Sequence, residues 1–452
     1  VLSSLSSLER RAGRLAIVRG IREAGFSGQV FLVGGAIREL ALGKVANDYD
    51  FALERAEDLR VFERLFGTKS FLLGKKPVQT HRIAREDIAV DLTILESDIG
   101  KDLLRRDFTM NAMAFDVGRG KVMDPLHGWE DLGRKVIRYP REQALREDPL
   151  RMLKAIRHFT LLPGFAMAPE VVDSIFALRG LIAQTAVERV KYELDLIMLS
   201  RHVRRGIEAL AQTRLLFEIF PELLPLEAMD IEKGLNPATF GHMRDGFRYL
   251  RRAERFHPLS GKEARLVGYA FLFHDLGKAR TYSFDEDKGK VHFFFHERFS
   301  RELADGIMER LRFSSSEAKA INALIENHMR LFLISNQDAT EKATRRLVYR
   351  MEDLTPSLVR LTLLDLYGSS GGRENVSTRL VRKRCLEVLA AYEEWKKAPL
   401  PRLVTGRDLM ALGYTEGPFL GKVLQEIREK QIAGEMKEKE EALEYARVSR
   451  ES

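Results

Sequence analysis

Short apolar runs that read as β-strands are confined to one early stretch of this 452-residue chain. Between residues 30 and 116, "VFLVGG", "DYDFAL", "IAVDLTI" and "NAMAFDV" are such runs, separated by polar or helical segments. "GAIRELALG" reads as a helix that opens on the glycines and stops at Gly43. From about Arg146 onward the apolar spacing is helical, as in "LRMLKAIRHF", "EARLVGYAFLFHDLGKA" and "RELADGIMERLRF". A small α/β module followed by a long helical remainder is therefore expected, with boundaries near 140, 225 and 400. The turn-rich "KKAPLPRL" marks the last of these. The Ser- and Arg-rich opening admits a transit-peptide reading, but it carries Glu9 and runs into helical spacing, which favours a structural first helix.

Composition narrows the partners. The formal net charge is +8, which favours polyanions, nucleic acid above all, and says nothing of fold. The single cysteine, Cys385, excludes a disulfide framework and a cysteine zinc site, and suits a reducing, cytoplasmic compartment. No apolar stretch is long enough to span a bilayer, so no membrane partner is expected.

Three features of the early module carry chemistry. Gly34-Gly35, at the junction of a strand and a helix, offers bare backbone N–H groups to an anion such as phosphate. A tight turn with no ligand is the plainer reading, since neither a dinucleotide fingerprint nor a Walker A loop is present. Asp48 and Asp50 alternate on a strand and so project from one face. Two adjacent carboxylates repel unless a cation lies between them, and hard oxygen ligands of this kind suit Mg²⁺. Asp91, in the otherwise apolar "IAVDLTIL", is the candidate third carboxylate, with a strand-edge or capping role as its alternative. In "DLLRRDFTMNAMAFD", arginines can grip phosphates while Asp107 and Asn111 can bond ribose hydroxyls; an exposed corner is the alternative.

"LVGGAIRELALG…DYD", "RRDFTMNAMA", "DPLHGWEDL…IR", "EDPLRMLKAIR" and "ERVKYEL" follow one another in this order. Together they resemble the successive motifs of class II tRNA nucleotidyltransferases and the related bacterial poly(A) polymerases, densely over residues 30 to 195. The resemblance implies an α/β polymerase-β-like nucleotidyltransferase head followed by an all-α neck, an HD-type body and a tail. Their expected extents are 1–140, 141–225, 226–400 and 401–452. It implies template-independent transfer of CMP, with AMP as an extension, from NTP to the 3′ end of tRNA. CTP, ATP and tRNA are the partners it implies, and two Mg²⁺ ions the cofactors. Carried over by position, Asp48 and Asp50 hold Mg²⁺, with Asp91 as the third catalytic carboxylate. Gly34, Gly35 and Arg38 cradle the triphosphate. Arg106, Asp107 and Asn111 contact ribose and phosphate. Asp148, Arg151 and Arg157 belong to the segment that reads the base. Asp148 and Arg151 are three residues apart, which on a helix places them on one face with Arg151 fixing Asp148; an ordinary salt bridge at a helix start is the alternative.

The chain departs from the family pattern at Glu39, Lys154 and Asp91, where aspartate, arginine and often glutamate are usual; charge is kept at each. Only "LTILESDIGK" separates Asp91 from "DLLRRDFT", where many full CCA-adding relatives have a longer mobile loop. That shortness favours CC addition over full CCA addition. A poly(A) polymerase or A-adding enzyme is the alternative.

Six of the ten histidines fall between residues 242 and 328. His274-Asp275, with His242 upstream and Asp365 downstream, resembles the HD phosphohydrolase pattern. There such residues hold divalent metals that activate water. His296 and His328 complete the expected pocket, His292 lies outside it, and Mn, Ni or Mg is the implied ion. A scaffold with merely hydrogen-bonded histidines is the alternative. So is a metal phosphohydrolase acting on RNA 3′ ends whose head only binds RNA, although the intact DYD pair argues against it. Residues 403–436 resemble the C-terminal segment of HD-bearing relatives, which implies help in holding the tRNA; a capped helix pair with no such role is the plainer reading.

Overall fold

A computed structural model describes residues 4–46, 48–73, 80–85, 88–235, 239–336, 340–397 and 401–451. The middle of the expected joint, residues 398–400, lies outside the described residues. The chain forms two compact units. One runs up to Ile197 and includes Glu208–Ile219; the other comprises Met198–Ile207 and everything from Phe220 on.

The first unit contains a seven-stranded sheet in the order β3-β4-β5-β2-β1-β6-β7. Its strands are β1 (Val30–Val33), β2 (Asp48–Leu53), β3 (Phe71–Leu73), β4 (Thr80–Arg85), β5 (Ile88–Ile94), β6 (Ala114–Asp116) and β7 (Lys121–Met123). All neighbours are antiparallel except β2 and β5, which run parallel. The four strands read from sequence are β1, β2, β5 and β6. Of the others, β3 and β7 are only three residues long, and β4, "THRIAR", has four polar or charged residues among its six, so they carry little strand signal.

One face of this sheet changes character along its strands. Phe31, Val33, Ala52 and Ala114 form an apolar cluster with Ile99 and Leu103, so the helix Ile99–Leu104 covers that part. Asp48, Asp50 and Asp91 lie on the same face farther along: Asp50 pairs with Val33 on one side and Asp91 on the other. On the opposite face, Phe51 packs edge-on against Phe62 of the helix Leu59–Phe66, with ring centroids 5.0 Å apart.

The opening residues are built into this unit. The helix Leu5–Gly13 is capped by Ser4 and buries Leu8 and Ala12. Its Glu9 carboxylate accepts from the β7 backbone at Val122 N, 3.2 Å away. After the sheet come the helices Ala144–Glu147, Leu150–Leu161, Pro169–Leu178 and Val187–Met198.

The described residues of the second unit are helical, with one β-hairpin among them, Tyr282–Asp285 paired with Lys290–Phe293. Its helix Thr355–Ser370 is buried along most of its length, which its near-continuous apolar sequence requires. Capping boxes at Ser260 and Ser314 start the helices Gly261–Phe273 and Ser315–Asn327. The last helices close on a core of Val404, Leu409, Tyr414, Val423, Ile427, Met436, Ala442 and Ala446. Among the described residues, no helix is long and apolar enough to cross a membrane.

Candidate functional site

The carboxylate end of the sheet is assembled by register. Asp50 on β2 pairs with Asp91 on β5, and Asp91 pairs with Arg82 on β4. Three charged side chains therefore stand in one row across three strands, with Asp48 two residues along. Arg82 grips Asp91 through Nε and Nη2, both at 2.6 Å. Burial pushes the Asp50 carboxyl above its ordinary range; Arg106 counters this, while Asp91 and Asp48 add to it. Such a group is stabilised by a cation, so the donor set fits a hard divalent ion. Among the described residues, only the histidine cluster of the second unit brings three ligand atoms within 4.8 Å of one another. The head carboxylates stand wider apart, with Asp91 held on Arg82.

Gly34 sits at the centre of this end. Its φ is +73°, and a Cβ there would lie 2.6 Å from Asp50 Oδ2 and 3.0 Å from Arg106 Nη1. The missing side chain thus makes room for a carboxylate and a guanidinium at once. The helix Gly35–Ala41 carries Arg38, whose Nη1 donates to Asn111 Oδ1 at 2.6 Å. Asn111 donates in turn to Asp107 Oδ1 at 2.8 Å, and Lys154 lies 3.8 Å from Asp107. Arg106 is braced by Asp102, four residues earlier at the other end of the turn. Asn111 belongs to a 3-10 turn, Thr109–Asn111, ahead of β6, and so does not open that strand.

The expected Asp148–Arg151 pair does not form. Asp148 precedes Pro149, whose ring disfavours helical geometry in the residue before it. Asp148 is accordingly extended, with φ −141° and ψ 94°, and ends the helix Ala144–Glu147. It therefore shares no helix face with Arg151. Its partner is Arg189, at 3.1 Å, while Arg151 donates to the backbone oxygens of Ala144 and Arg105. Arg157 is held on Glu193. Both new partners lie in "ERVKYEL", so that segment braces the residues of "EDPLRMLKAIR".

The second constellation is a buried pocket in the other unit. Helix ends deliver its ligands: His274 and His328 are the C-caps of Gly261–Phe273 and Ser315–Asn327, and His296 opens His296–Arg310. Three rings point Nδ1 at a backbone oxygen three residues back: His274 at Phe271 (2.8 Å), His296 at Phe293 (2.9 Å) and His328 at Ile325 (2.7 Å). A carbonyl only accepts, so each Nδ1 carries a proton, and a ring in its neutral form then presents a bare Nε2. Gly277 lets the third helix come close; a Cβ there would lie 2.2 Å from the His296 oxygen.

These Nε2 atoms meet the carboxylates. His242 Nε2 lies 3.1 Å from Asp275 and 3.5 Å from Asp365; His274 Nε2 lies 3.3 Å from Asp275; His296 Nε2 lies 3.3 Å from Asp275 and 3.1 Å from His328 Nε2. His242 Nε2, His274 Nε2 and Asp275 Oδ1 are buried without an aligned hydrogen-bond partner among the described residues. Overlapping sets drawn from His242, His274, Asp275, His296, His328 and Asp365 place their ligand atoms within 4.8 Å. Converging lone pairs and unmatched buried atoms are what a divalent ion would satisfy. Burial lowers the His242 pKa, but Asp275 and Asp365 outweigh it and raise the value to about 9. Burial and the neighbouring His274 push His328 down to about 3. Lys278, at 2.7 Å, also holds Asp275.

A third feature was not anticipated. A cavity of about 940 Å³ in the second unit is lined by Arg330, Lys342, Arg346, Arg350, Arg402 and Arg428, among others. Lys342, Arg346 and Arg350 recur at every fourth residue of the helix Glu341–Met351 and so form one stripe.

Comparison with known proteins agrees with this geometry. Residues 30–138 match the family described as "Poly A polymerase head domain". Residues 164–226 match "Probable RNA and SrmB- binding site of polymerase A", and residues 239–367 match "HD domain". The chain is 34% identical to the A-adding tRNA nucleotidyltransferase of Deinococcus radiodurans over 91% of its own length and 93% of that protein. It is likewise 34% identical to the CC-adding tRNA nucleotidyltransferase of Thermus thermophilus, over 93% and 94%. The fold resembles that of the Thermotoga maritima CCA-adding enzyme complexed with tRNA, with TM-score 0.61 at 20% identity and 99% of each chain covered. The chain belongs to the family of tRNA nucleotidyltransferases, as an enzyme with a poly(A)-polymerase-type head and an HD domain.

Proposed function

We propose that the chain transfers CMP from CTP to the 3′ end of tRNA, building the CC of the CCA terminus. The observation that carries the reaction type is the row of Asp48, Asp50 and Asp91 on one sheet face, beside Gly34 and Arg106. When bound, two Mg²⁺ ions would lower the pKa of the attacking 3′-hydroxyl and balance charge on the departing pyrophosphate. Asp48 and Asp50 would hold them, with Asp91 as the third carboxylate. Gly34 and Gly35 leave backbone open to the triphosphate, which Arg38 and Arg106 also contact. Asp107 and Asn111, already bonded to each other, present a fixed edge to the ribose. Asp148 and Arg151, positioned separately, face the base, and Arg157, held on Glu193, belongs to the same base-reading segment. Catalysis here is mainly positioning and charge neutralisation.

The stopping point rests on a second observation. β5 ends at Ile94 and the next helix begins at Ile99, so only Leu95–Asp98 join them. That leaves no room for a long mobile lever between Asp91 and Arg106, which supports CC addition. The equal identity to an A-adding relative supports addition of A alone as the second reading. Work is divided among a head at 1–140, a neck at 141–225, an HD-type body at 226–400 and a tail at 401–452. The basic cavity of the second unit contacts the RNA backbone.

Incorporation assays on tRNAs ending in the discriminator base, in C and in CC, with CTP and ATP supplied separately, test this. CTP incorporation with no ATP extension of a CC end is expected. Extension of CC ends by ATP without CTP incorporation would establish the second reading. Asp48→Ala or Asp50→Ala should abolish addition while RNA binding persists.

We further infer that the HD pocket hydrolyses phosphoesters at RNA 3′ ends or of free nucleotides. His242, His274, Asp275, His296, His328 and Asp365 would hold Mn, Ni or Mg, which when bound would supply an acidified water. In hydrolysis of a cyclic phosphate, the water oxygen bonds phosphorus, one ribose oxygen leaves, and that oxygen takes a proton. Metal-dependent opening of a 2′,3′-cyclic phosphate, lost in Asp275→Ala, is the expected result.

A further inference from the structure

The β-hairpin that runs into the HD pocket leaves large aromatic rings in solvent. Phe294 is 64% exposed and Phe295 73%. Single exposed apolar residues are ordinary, but two adjacent phenylalanines this exposed are not. The Phe294 ring also stacks on His292, with centroids 4.9 Å apart and planes 10° from parallel. Phe295 has φ +59°, a left-handed conformation rare for a bulky residue. That conformation costs stability, and strain of this kind persists where the surroundings use it.

The position of these rings relates them to the pocket. Phe293 puts its ring 5.3 Å from the Lys278 ammonium, which itself lies 2.7 Å from Asp275. The Phe293 carbonyl accepts from Nδ1 of His296 and so sets that ring's tautomer. Phe294 and Phe295 are the two residues between that carbonyl and His296. Patch and pocket are thus one continuous stretch of backbone, Phe293–His296, with a buried ligand at one end and exposed rings beside it.

We propose that Phe294 and Phe295, with His292 stacked behind Phe294, form a platform for the nucleobase of a substrate whose phosphate occupies the HD pocket. Aromatic faces stack on any base, so the platform selects nucleotides and RNA 3′ termini over phosphoesters that lack a base, without choosing a base identity. The proposal rests on the reading of the HD pocket as a phosphoesterase site. The pocket supplies the chemistry, and the platform supplies the substrate class.

The test compares two substrates that share one reacting group. Cytidine 2′,3′-cyclic phosphate and ethylene phosphate are both five-membered cyclic diesters, and only the first carries a base. The full-length protein, Phe294→Ala and Phe295→Asn are assayed with Mn²⁺ on both. Asparagine tolerates left-handed backbone, so Phe295→Asn removes the ring without disturbing the turn. The wild type should favour the cytidine substrate in kcat/KM. Each variant should lower that preference at least about fivefold, mostly through KM, the scale of one lost base stack. The melting temperature of Phe295→Asn should hold or rise. No hydrolysis of either substrate by the wild type would overturn the phosphoesterase reading itself. Hydrolysis of both with an unchanged preference in the variants would overturn the platform alone. A drop in molecular mass in solution with that unchanged preference would assign the patch to contact with a second copy.

Discussion

Gly34 shows how much one missing side chain can hold. Its backbone, at φ +73° and ψ −140°, lies in a region essentially reserved for glycine and would strain alanine by roughly 1–3 kcal/mol. A Cβ at 2.6 Å from Asp50 Oδ2 would also push the carboxylate out of its row. Gly34→Ala should therefore lower the rate of CMP addition by two orders of magnitude or more while the protein still folds, since the strain is small beside a typical stability. Single-turnover kinetics and circular dichroism check both halves. Arg82 offers a second test at this scale. Its fork occupies both oxygens of Asp91, and it competes with a bound cation for that carboxylate. Arg82→Gln should tighten Mn²⁺ binding at the head about tenfold, a change of ~1.4 kcal/mol, as read by electron paramagnetic resonance. Unchanged Mn²⁺ affinity would place Asp91 outside the metal site. The DYD pair was legible because strand alternation alone puts two carboxylates on one face. Arg82 was not, because its role depends on the β4–β5 register. Asp148 was misread as helical because spacing was given more weight than the proline that follows it.

At the scale of elements, the long helices could be read from apolar spacing, whereas the capping boxes at Ser260, Ser314 and Thr405 came only with the fold. The hairpin beside the HD pocket could not be read, because its strands are only four residues long, at the lower limit for an alternating pattern to register. The helix Glu341–Met351 carries a legible pattern whose meaning came only with the fold. Lys342, Arg346 and Arg350 repel one another at four-residue spacing, which costs an isolated helix a few tenths of a kcal/mol per pair. Lys342 is paired with Glu435 at 2.6 Å, and Glu326, Glu352 and Glu429 also line the cavity, so Arg346 and Arg350 carry the case for an anion opposite the stripe. Replacing Arg346 and Arg350 by glutamine should weaken tRNA binding about tenfold at moderate salt. It should also flatten the slope of log affinity against log salt by about 1.4–1.8, the loss of two phosphate contacts. The helix itself should melt no earlier. An unchanged salt slope, measured by fluorescence anisotropy, would remove this helix from the RNA contact.

At the scale of the whole molecule, the carboxylate row and the histidine pocket sit in different compact units, so the proposed hydrolysis should be separable from nucleotide addition by mutation and by metal. The HD pocket adds a stability linkage that reports on its ligands. The His242 pKa is raised from 6.5 to about 9 in the metal-free fold. A raised histidine pKa stabilises the fold fully below the unfolded value and loses that contribution as pH rises through the folded value. Asp275 and Asp365 have the opposite sign. Burial raises them, but the neighbouring histidines and, for Asp275, Lys278 outweigh it and hold both below the usual range. Their contribution is present above the unfolded carboxylate pKa and is lost only in strong acid. The metal-free protein should therefore lose stability between about pH 6.5 and 9, by roughly 3 kcal/mol if His242 acts alone. A bound divalent ion needs the His242 Nε2 lone pair, so it competes with that proton, and its affinity rises over the same interval. Melting curves at pH 6, 7.5 and 9, in chelator and in Mn²⁺, test the coupling. The chelated protein should melt progressively earlier as pH rises while the Mn²⁺ form does not, so that the gap between them widens. In His242→Gln that widening should disappear. A gap that stays constant with pH in the unmutated protein would show that His242 is not a ligand, whatever its neighbours bind.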